Sequence, residues 1–283
     1  MEQAELVKTA SLLVQGFASG YDGDLTCGEP GHPGGHTCLP ITADHDTRDL
    51  VETFGVRFPD PYTRAHGLPP LPLDDRYHWT HSWTWGARAI ALGRGPDGRP
   101  VLAVTERNMP EPDDLPAGMP WIERLVAISG PATSPPPAPD WAAVEARLGT
   151  PLPGDYKRLV ETYGCDGTFD VFFQVFDPDE LISYWEYFAG DEPAAGDLPG
   201  WPVPGGLIPW SNNEHHETFW WIAEGPDPDR WPVYAVTEDD QGERFDCTAT
   251  EFLFRQMTDP EWPFYSSADH LTGHWFMKFR RDL

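Results

Sequence analysis

The chain has 283 residues, of which 40% are hydrophobic, and this content supports ordinary folded cores and excludes global disorder. It carries 46 acidic and 19 basic residues, for a net charge of −27. Such a surface repels phosphate backbones and anionic membranes, so a nucleic-acid-binding protein is excluded, and it attracts basic partners. The same charge also keeps proteins soluble, which is the simpler interpretation.

The four cysteines are too few for a disulfide framework in a chain of this length. The N-terminus lacks the basic region of a secretory signal, and no apolar run approaches the length of a membrane span. We therefore expect a cytoplasmic protein. Frequent Ala, Gly and Pro with little Lys suggest a GC-rich bacterial genome.

The first part of the chain predicts short elements separated by Gly- and Pro-rich passages. Apolar residues at helical spacing predict a helix from residue 6 that ends near Gly16 or Gly20. The elements that follow are a Gly-rich loop at 21–40, a short helix at 46–54, a β-hairpin formed by 87–92 and 100–105, and a strand or short helix at 121–128.

A proline-rich run at 131–139 forms the clearest boundary, because proline favours a stiff, extended spacer. It predicts an N-terminal α+β region at 1–130 and a second domain at 140–283. The second domain holds 28 of the 46 acids but 9 of the 19 bases, so it carries most of the negative charge.

The second domain shows clearer signals for its elements. Asp140 can cap a first helix that Gly149 stops, a second helix stops at Gly164, and Asp177 can cap a third. The other predicted elements are strands at 169–176, 218–222, 232–237 and 243–247, and a helix that starts with a capping box at 248–251. Helices grouped around a mostly antiparallel sheet indicate the α+β class.

Two segments of the N-terminal region echo the second domain in the same order. Residues 54–62 parallel 148–156, and residues 100–106 parallel 232–238. The spacing between them differs by nearly forty residues, and Gly, Pro and Val are common in this chain. Chance is therefore the simpler interpretation, and a shortened, degenerate repeat is the alternative.

Several motifs between Trp141 and Met257 occur together in a fixed order. They are Trp141-x-x-Val144-Glu145, Leu148-Gly149-x-x-Leu152-Pro153-x-Asp155-Tyr156, Tyr163-Gly164, Gly206-Leu207-Ile208-Pro209-Trp210, Phe219-Trp220-Trp221, Asp229-Arg230-Trp231-Pro232-Val233 and Phe252-Leu253. In this order the segment resembles the SUKH superfamily, the Smi/Knr-like domains of bacterial immunity proteins and fungal cell-wall regulators.

The resemblance implies a SUKH-like α+β domain without enzymatic activity that binds a protein partner, in many members a toxin such as a nuclease. One segment departs from the family: after Trp210 a Gly/Asp turn is usual, whereas this chain has a polar stretch through Glu217. Because that turn can carry specificity, the partner's identity does not transfer.

A cluster of four potential zinc ligands lies in the Gly-rich loop of the N-terminal region. Cys27, His32, His36 and Cys38 supply the soft nitrogen and sulfur donors that structural zinc prefers. Their spacing matches no standard zinc knuckle or finger, so a loop that merely contains these residues is the simpler interpretation. Otherwise we expect no cofactor.

A polar turn between Trp210 and the strand at 218–222 contains Glu214, His215, His216 and Glu217. These residues could ligate a metal or act as acid and base, but neighbouring side chains on a strand or tight turn point apart. An exposed turn that contacts a partner is the better prediction.

Acidic residues mark two further turns of the same strand system. They are Asp227, Asp229, Glu238, Asp239 and Asp240. Aspartate is common in turns for local reasons, whereas an acidic rim that meets the basic active site of a toxin is the functional interpretation. Trp220 and Trp221 point to opposite sides of one strand, so one is expected in the core and the other under a helix or at an interface.

The sequence as a whole predicts a bacterial, non-enzymatic immunity protein that binds a basic toxin domain, as in toxin–antitoxin pairs, through an acidic surface. A metal-dependent hydrolase that uses the Cys/His loop or the His215–His216 turn is one alternative. A regulatory scaffold without a toxin partner is the other.

Overall fold

The computed structural model describes residues 2–16, 25–28, 34–42, 45–58, 61–64, 68, 76–134, 137–190 and 193–278. The chain divides into two compact units, and both are noncontiguous along the sequence. The first comprises Met1–Glu111, Ile128–Ser134 and Leu271–Leu283, and the second comprises Pro112–Ala127 and Pro135–His270. None of the helices within the described ranges has the length and apolar character needed to cross a membrane.

The first unit combines two helices with an antiparallel five-stranded sheet. In chain order its elements are α1 (Gln3–Gln15), β1 (His36–Leu39), α2 (Thr47–Arg57), β2 (Tyr62–Thr63), β3 (His78–Trp85), β4 (Arg88–Arg94) and β5 (Pro100–Glu106). The strands are ordered β1-β5-β4-β3-β2, which makes β1 an edge strand.

Local sequence explains the two helices of the first unit. The apolar face of α1 packs into the core beside strands β4 and β5, and Gly16 adopts a positive φ where the helix ends. Asp46 accepts a hydrogen bond from the backbone N–H of Arg48 at the start of α2. Both helices end close to where the periodicity predicts.

The second unit builds a mixed helix and sheet structure. In chain order its elements are most of α3 (Trp121–Ser129), then α4 (Trp141–Leu148), α5 (Gly154–Tyr163), β6 (Gly167–Phe169), β7 (Phe173–Val175), α6 (Pro178–Phe188), β8 (Pro193–Ala195), β9 (Leu198–Pro199), β10 (Leu207–Asn213), β11 (Thr218–Ile222), β12 (Val233–Val236), β13 (Gly242–Phe245) and α7 (Ala249–Thr258). Strand β14 (Phe276–Lys278) follows in the part of the chain assigned to the first unit.

Six strands of the second unit form an antiparallel sheet in the order β13-β12-β11-β10-β7-β6. A separate two-stranded sheet pairs β8 with β9. With helices packed on these sheets, the α+β class that the sequence predicts is confirmed.

The helix signals of the second unit are confirmed at their caps. Asp140 accepts from the N–H of Ala143 at the start of α4, which ends at a left-handed Gly149. Asp177 and Glu180 form a complete capping box at the start of α6. Thr248 accepts from the N–H of Glu251 in the first turn of α7.

Trp220 and Trp221 on β11 are both buried, on opposite faces of the sheet. Trp221 stacks on Trp210 and contacts the ring of Tyr156 from α5. Trp220 packs edge-on against Phe188 from α6, in a cluster that the β8–β9 pair also lines. Of the two predicted alternatives for the second tryptophan, the structure therefore shows cover by a helix.

The single strand predicted at 169–176 is wrong. The chain instead forms the β6–β7 hairpin, in which Phe169 pairs with Phe173. Asp170 and Val171 adopt positive φ angles of 54° and 65° in the turn. The fully buried carboxylate of Asp170 accepts a 2.6 Å hydrogen bond from the hydroxyl of Ser267, and this distant contact fixes the turn.

The loop predicted at 21–40 contains strand β1, which pairs with β5 from His36 opposite Thr105 to Leu39 opposite Leu102. The two halves of the sequence echo also differ locally. Tyr62 begins strand β2, whereas Tyr156, its counterpart, lies inside helix α5. The second pair of echo segments forms strands β5 and β12.

The unit boundaries differ from the predicted domain limits at the C-terminal end. Arg107 lies in the first unit, and its guanidinium donates to the carbonyls of Gly86, Ser129 and His274 over 2.7 to 2.9 Å. Trp275 contacts the ring of Trp85 in the same unit. These contacts bring the segment after residue 270 into the first unit, which sequence periodicity does not indicate.

Candidate functional site

The β10–β11 turn is built around a buried asparagine. Asn213 Oδ1 accepts from the backbone N–H groups of His215 and Glu217, and Asn213 Nδ2 donates to Glu217 Oε2 over 2.6 Å. Glu217 also accepts from the backbone N–H of Tyr265 at 3.2 Å. Glu217 is therefore half-buried and holds the turn, while Glu214, His215 and His216 are exposed.

An aromatic layer borders this turn. The imidazole of His215 stacks on the ring of Tyr265 with centroids 3.9 Å apart, and Phe172 contacts Tyr265 edge-on at 5.0 Å. Burial, followed by the carboxylates of Asp170, Asp269 and Glu214, raises the pKa of Tyr265 to about 12. The phenol therefore stays neutral beside the exposed turn.

The strand register places the predicted contact residues at two different ends of the sheet. Thr218 pairs with Val236, so the turn of Glu214 to Glu217 and the turn that follows Val236 lie at the same end. Trp221 pairs with Val233, so the β11–β12 connection lies at the opposite end. Glu238, Asp239 and Asp240 therefore neighbour the polar turn, whereas Asp227 and Asp229 do not.

The two aspartates at the opposite end are used locally. Asp227 accepts from the N–H of Asp229 at the start of a short 3₁₀ turn. Asp229 Oδ1 accepts from the N–H of Gly154 over 2.5 Å. Since Pro153 offers no side-chain cap at the start of α5, Asp229 supplies that cap from a distant part of the chain.

The β12–β13 turn gathers a further carboxylate that the sequence prediction did not include. Asp240, at φ 60°, accepts from the N–H of Gly196 over 2.7 Å. Burial first, and then the carboxylates of Asp197 and Asp240, raise the pKa of Tyr234. Asp197 is exposed and adjoins the same group of acids.

These exposed residues at one end of the sheet are termed the acidic turn surface. Its members are Asp197, Glu214, His215, His216, Glu238, Asp239 and Asp240. The two hairpins that carry most of them arise from the adjacent strands β11 and β12, about 4.8 Å apart in the sheet. The surface offers acids at its rim and a stacked imidazole beside them.

The predicted zinc ligands are partly brought together in the first unit. Ligand atoms of Cys27, His36 and Cys38 all lie within 4.8 Å of one another. His36 is buried and the two cysteines are half-buried. His32, the fourth predicted ligand, lies outside the described residues.

Within the described ranges, the three residues of the first unit are the sole group of three or more potential ligands this close together. The His215–His216 turn gathers no such group there.

The remaining cysteines, Cys165 and Cys247, lie in the second unit. Burial, followed by the nearby Glu251 carboxylate, raises the pKa of Cys247 to about 12, so its thiol is a poor nucleophile.

The motif residues of the second unit make contacts that join its helices. Glu145 Oε1 accepts from the N–H of Leu152 and from Lys157 Nζ, at 2.9 and 2.6 Å. The buried Asp155 carboxylate accepts from both the N–H and the hydroxyl of Thr250 in the first turn of α7.

Tyr156 completes this set from inside the core. Its hydroxyl donates to the carbonyl of Phe176 over 2.7 Å, and complete burial raises its pKa well above the ordinary value. Glu145, Asp155 and Tyr156 thus link helices and strands of the unit through side-chain hydrogen bonds.

Comparison with known families matches residues 135–255 to the model of the SMI1 / KNR4 family (SUKH-1). This segment is a SUKH domain. The family comprises immunity-like domains that are generally non-enzymatic. No curated protein and no solved structure matches the chain.

The matched segment contains the residues that join the helices and strands of the second unit. Glu145, Asp155 and Tyr156 belong to the motifs by which the sequence resembles the family, and they hold helices and strands together. Glu214, His215 and His216 of the acidic turn surface follow Trp210 within the matched segment.

Proposed function

We propose that this SUKH domain binds and neutralises a basic toxin domain through the acidic turn surface, without catalysis of its own. The observation that carries the proposal is the convergence of two acidic hairpins at the end of the sheet where Thr218 pairs with Val236. The family membership of residues 135–255 supports an immunity-type role.

The electrostatics of this surface suit a partner rich in Lys and Arg. Glu214, Glu238, Asp239 and Asp240 are exposed, and neither hairpin turn contains Lys or Arg. A nuclease active site is basic because it binds phosphates, so an acidic surface can occupy it and exclude the substrate. Long-range attraction would also speed the encounter, with a rate that falls as salt is added.

The aromatic layer would give the complex contact area that charge alone does not. The imidazole of His215 lies stacked on Tyr265, and Asn213 and Glu217 fix the turn from beneath. A rigid ring next to acids loses little conformational entropy on binding, which favours a slow dissociation.

The direct test mixes the purified protein with toxin domains encoded beside its gene. We expect one of them to form a complex and expect co-expression to protect cells from it. In the Glu238→Lys/Asp239→Lys variant, which replaces two rim acids, affinity should fall by about tenfold or more, mainly through slower association.

A matched control replaces another exposed pair of neighbouring acids in the same unit. Asp113 and Asp114 lie in a short 3₁₀ turn outside the family match. The Asp113→Lys/Asp114→Lys variant changes the net charge equally and should keep nearly full affinity. Equal losses in both variants, or no complex with any neighbouring toxin, would contradict the proposal.

A further inference from the structure

We infer that Cys27, His36 and Cys38 bind a zinc ion in the first unit, at a site separate from the SUKH domain. The ligand atoms of the three residues lie within 4.8 Å of one another. The inference is independent of the proposed toxin partner, because it concerns a different unit of the chain.

The backbone explains why these ligands meet. His36 and Cys38 are two residues apart on strand β1, so their side chains leave the same face of the strand. The hydroxyl of Thr37, the residue between them, donates to the carbonyl of Thr26. This hydrogen bond ties the residue before Cys27 to strand β1. The sulfur of Cys27 lies within 4.8 Å of the ligand atoms of His36 and Cys38.

A glycine turn fixes the start of the strand. Gly35 adopts φ 76°, a left-handed conformation that favours glycine, and its carbonyl accepts from the N–H of Glu106 over 2.8 Å. The register then places His36 opposite Thr105 and Cys38 opposite Ala103. Two ligands therefore sit on a hydrogen-bonded strand, where their positions are well defined.

The separations are close to those of a loaded site. With Zn–S bonds of about 2.3 Å and Zn–N bonds of about 2.0 Å, two ligands of a tetrahedral ion are about 3.5 to 3.8 Å apart. A separation of at most 4.8 Å needs only small side-chain rotations to reach this geometry. Burial of His36 would shield the ion on one side.

The donor set favours zinc among the common divalent ions. Two thiolates and an imidazole are soft or borderline ligands, whereas Mg²⁺ and Ca²⁺ select oxygen ligands. Binding would release the protons of both thiols, since the thiolate is the ligand form. Three protein ligands leave one coordination position for a further ligand.

The same proximity also allows a rival chemistry in which Cys27 and Cys38 oxidise to a disulfide. The test therefore starts from protein purified under reducing conditions in zinc-containing buffer and then desalted. Elemental analysis should find about one zinc per chain. Replacement by Co²⁺ should give the thiolate-to-cobalt charge-transfer absorption and the intense visible bands of a tetrahedral site.

Two variants and one matched control connect the metal to these residues. Cys27→Ser should lower zinc content by about tenfold, while Cys38→His, which keeps a ligand, should retain zinc and shift the cobalt spectrum. The control variant Cys165→Ser/Cys247→Ser alters the two half-buried cysteines of the second unit and should leave zinc content unchanged.

The inference is overturned if reduced wild-type protein binds neither zinc nor cobalt, or if Cys27→Ser retains the metal. It is also overturned if mass spectrometry finds Cys27 and Cys38 joined as a disulfide in protein freshly isolated from reducing cells. Loss of metal from the control variant Cys165→Ser/Cys247→Ser would show that the ion is bound in the second unit instead. Folding of each variant is checked by far-UV circular dichroism.

Discussion

At the scale of single residues, Glu145 shows how a family motif stabilises the SUKH domain. Burial opposes ionisation of this carboxylate, but the N–H of Leu152 and the ammonium of Lys157 outweigh it and lower the pKa of Glu145. The side chains of Glu145 and Lys157 are 24% and 26% exposed, so solvent screens the pair less than it screens a surface ion pair.

The Glu145→Gln variant should therefore be less stable than the wild type by about 1 kcal/mol at neutral pH. A lowered folded pKa means that the stabilisation is complete above the unfolded value of about 4.5 and is lost as the pH falls through the folded pKa. Urea unfolding at a series of pH values should show the difference shrinking only in acid.

The control for that series is Glu186, whose ion pair with Arg147 at 2.7 Å is about half exposed on both sides. Glu186→Gln should change the free energy of unfolding less. A Glu145→Gln difference that persists unchanged below the folded pKa would contradict the role assigned to the carboxylate.

At the scale of elements, the β10–β11 turn depends on one side chain. Asn213 is buried and bonds three partners: the N–H groups of His215 and Glu217 and the carboxylate of Glu217. No local turn residue such as glycine is present between Asn213 and Thr218, so this asparagine determines the shape of the turn.

The Asn213→Ala variant should lower the free energy of unfolding by about 1 to 2 kcal/mol, because two backbone N–H groups lose their acceptor. Amide hydrogen exchange at His215 and Glu217 should accelerate, and affinity for the partner should fall with the loss of a preformed turn. Asn212→Ala, on the same strand, is the matched control. Equal amide exchange at His215 and Glu217 in the two variants would contradict the role of Asn213 in shaping the turn.

The same scale shows how far the sequence predicts the fold. Helices α4, α5, α6 and α7 are predicted correctly because apolar spacing and caps are local signals. The β6–β7 hairpin is missed because its turn depends on Ser267, almost a hundred residues away. Strand β1 is missed because its glycine-rich surroundings resemble a loop until it pairs with β5.

The candidate surface is predicted only in part, for a reason of topology. Successive turns of an antiparallel sheet alternate between its two ends, so Asp227 and Asp229 could have been separated from Glu238 to Asp240 by counting strands. The sequence does not predict that Asp229 caps the helix at Gly154 or that Asp197 belongs to the surface, because both features depend on contacts between distant segments.

At the scale of the whole molecule, the acidic residues that give the net charge of −27 have different roles. Some acids, such as Asp155, Asp170 and Glu217, are used inside the SUKH domain as hydrogen-bond acceptors. Others form the acidic turn surface.

The hydrolase alternative would need a metal at the His215–His216 turn or at the Cys/His group, and the metal analysis of the cysteine variants also tests it.

The most direct test of the central claim is an amide hydrogen-exchange footprint of the protein with the toxin domain that binds it. We predict protection at residues 213–218 and 236–242, which form one end of the sheet. The β11–β12 connection at residues 223–232 should exchange as in the isolated protein. Protection confined to that connection, or to neither end, would contradict a role for the acidic turn surface in binding.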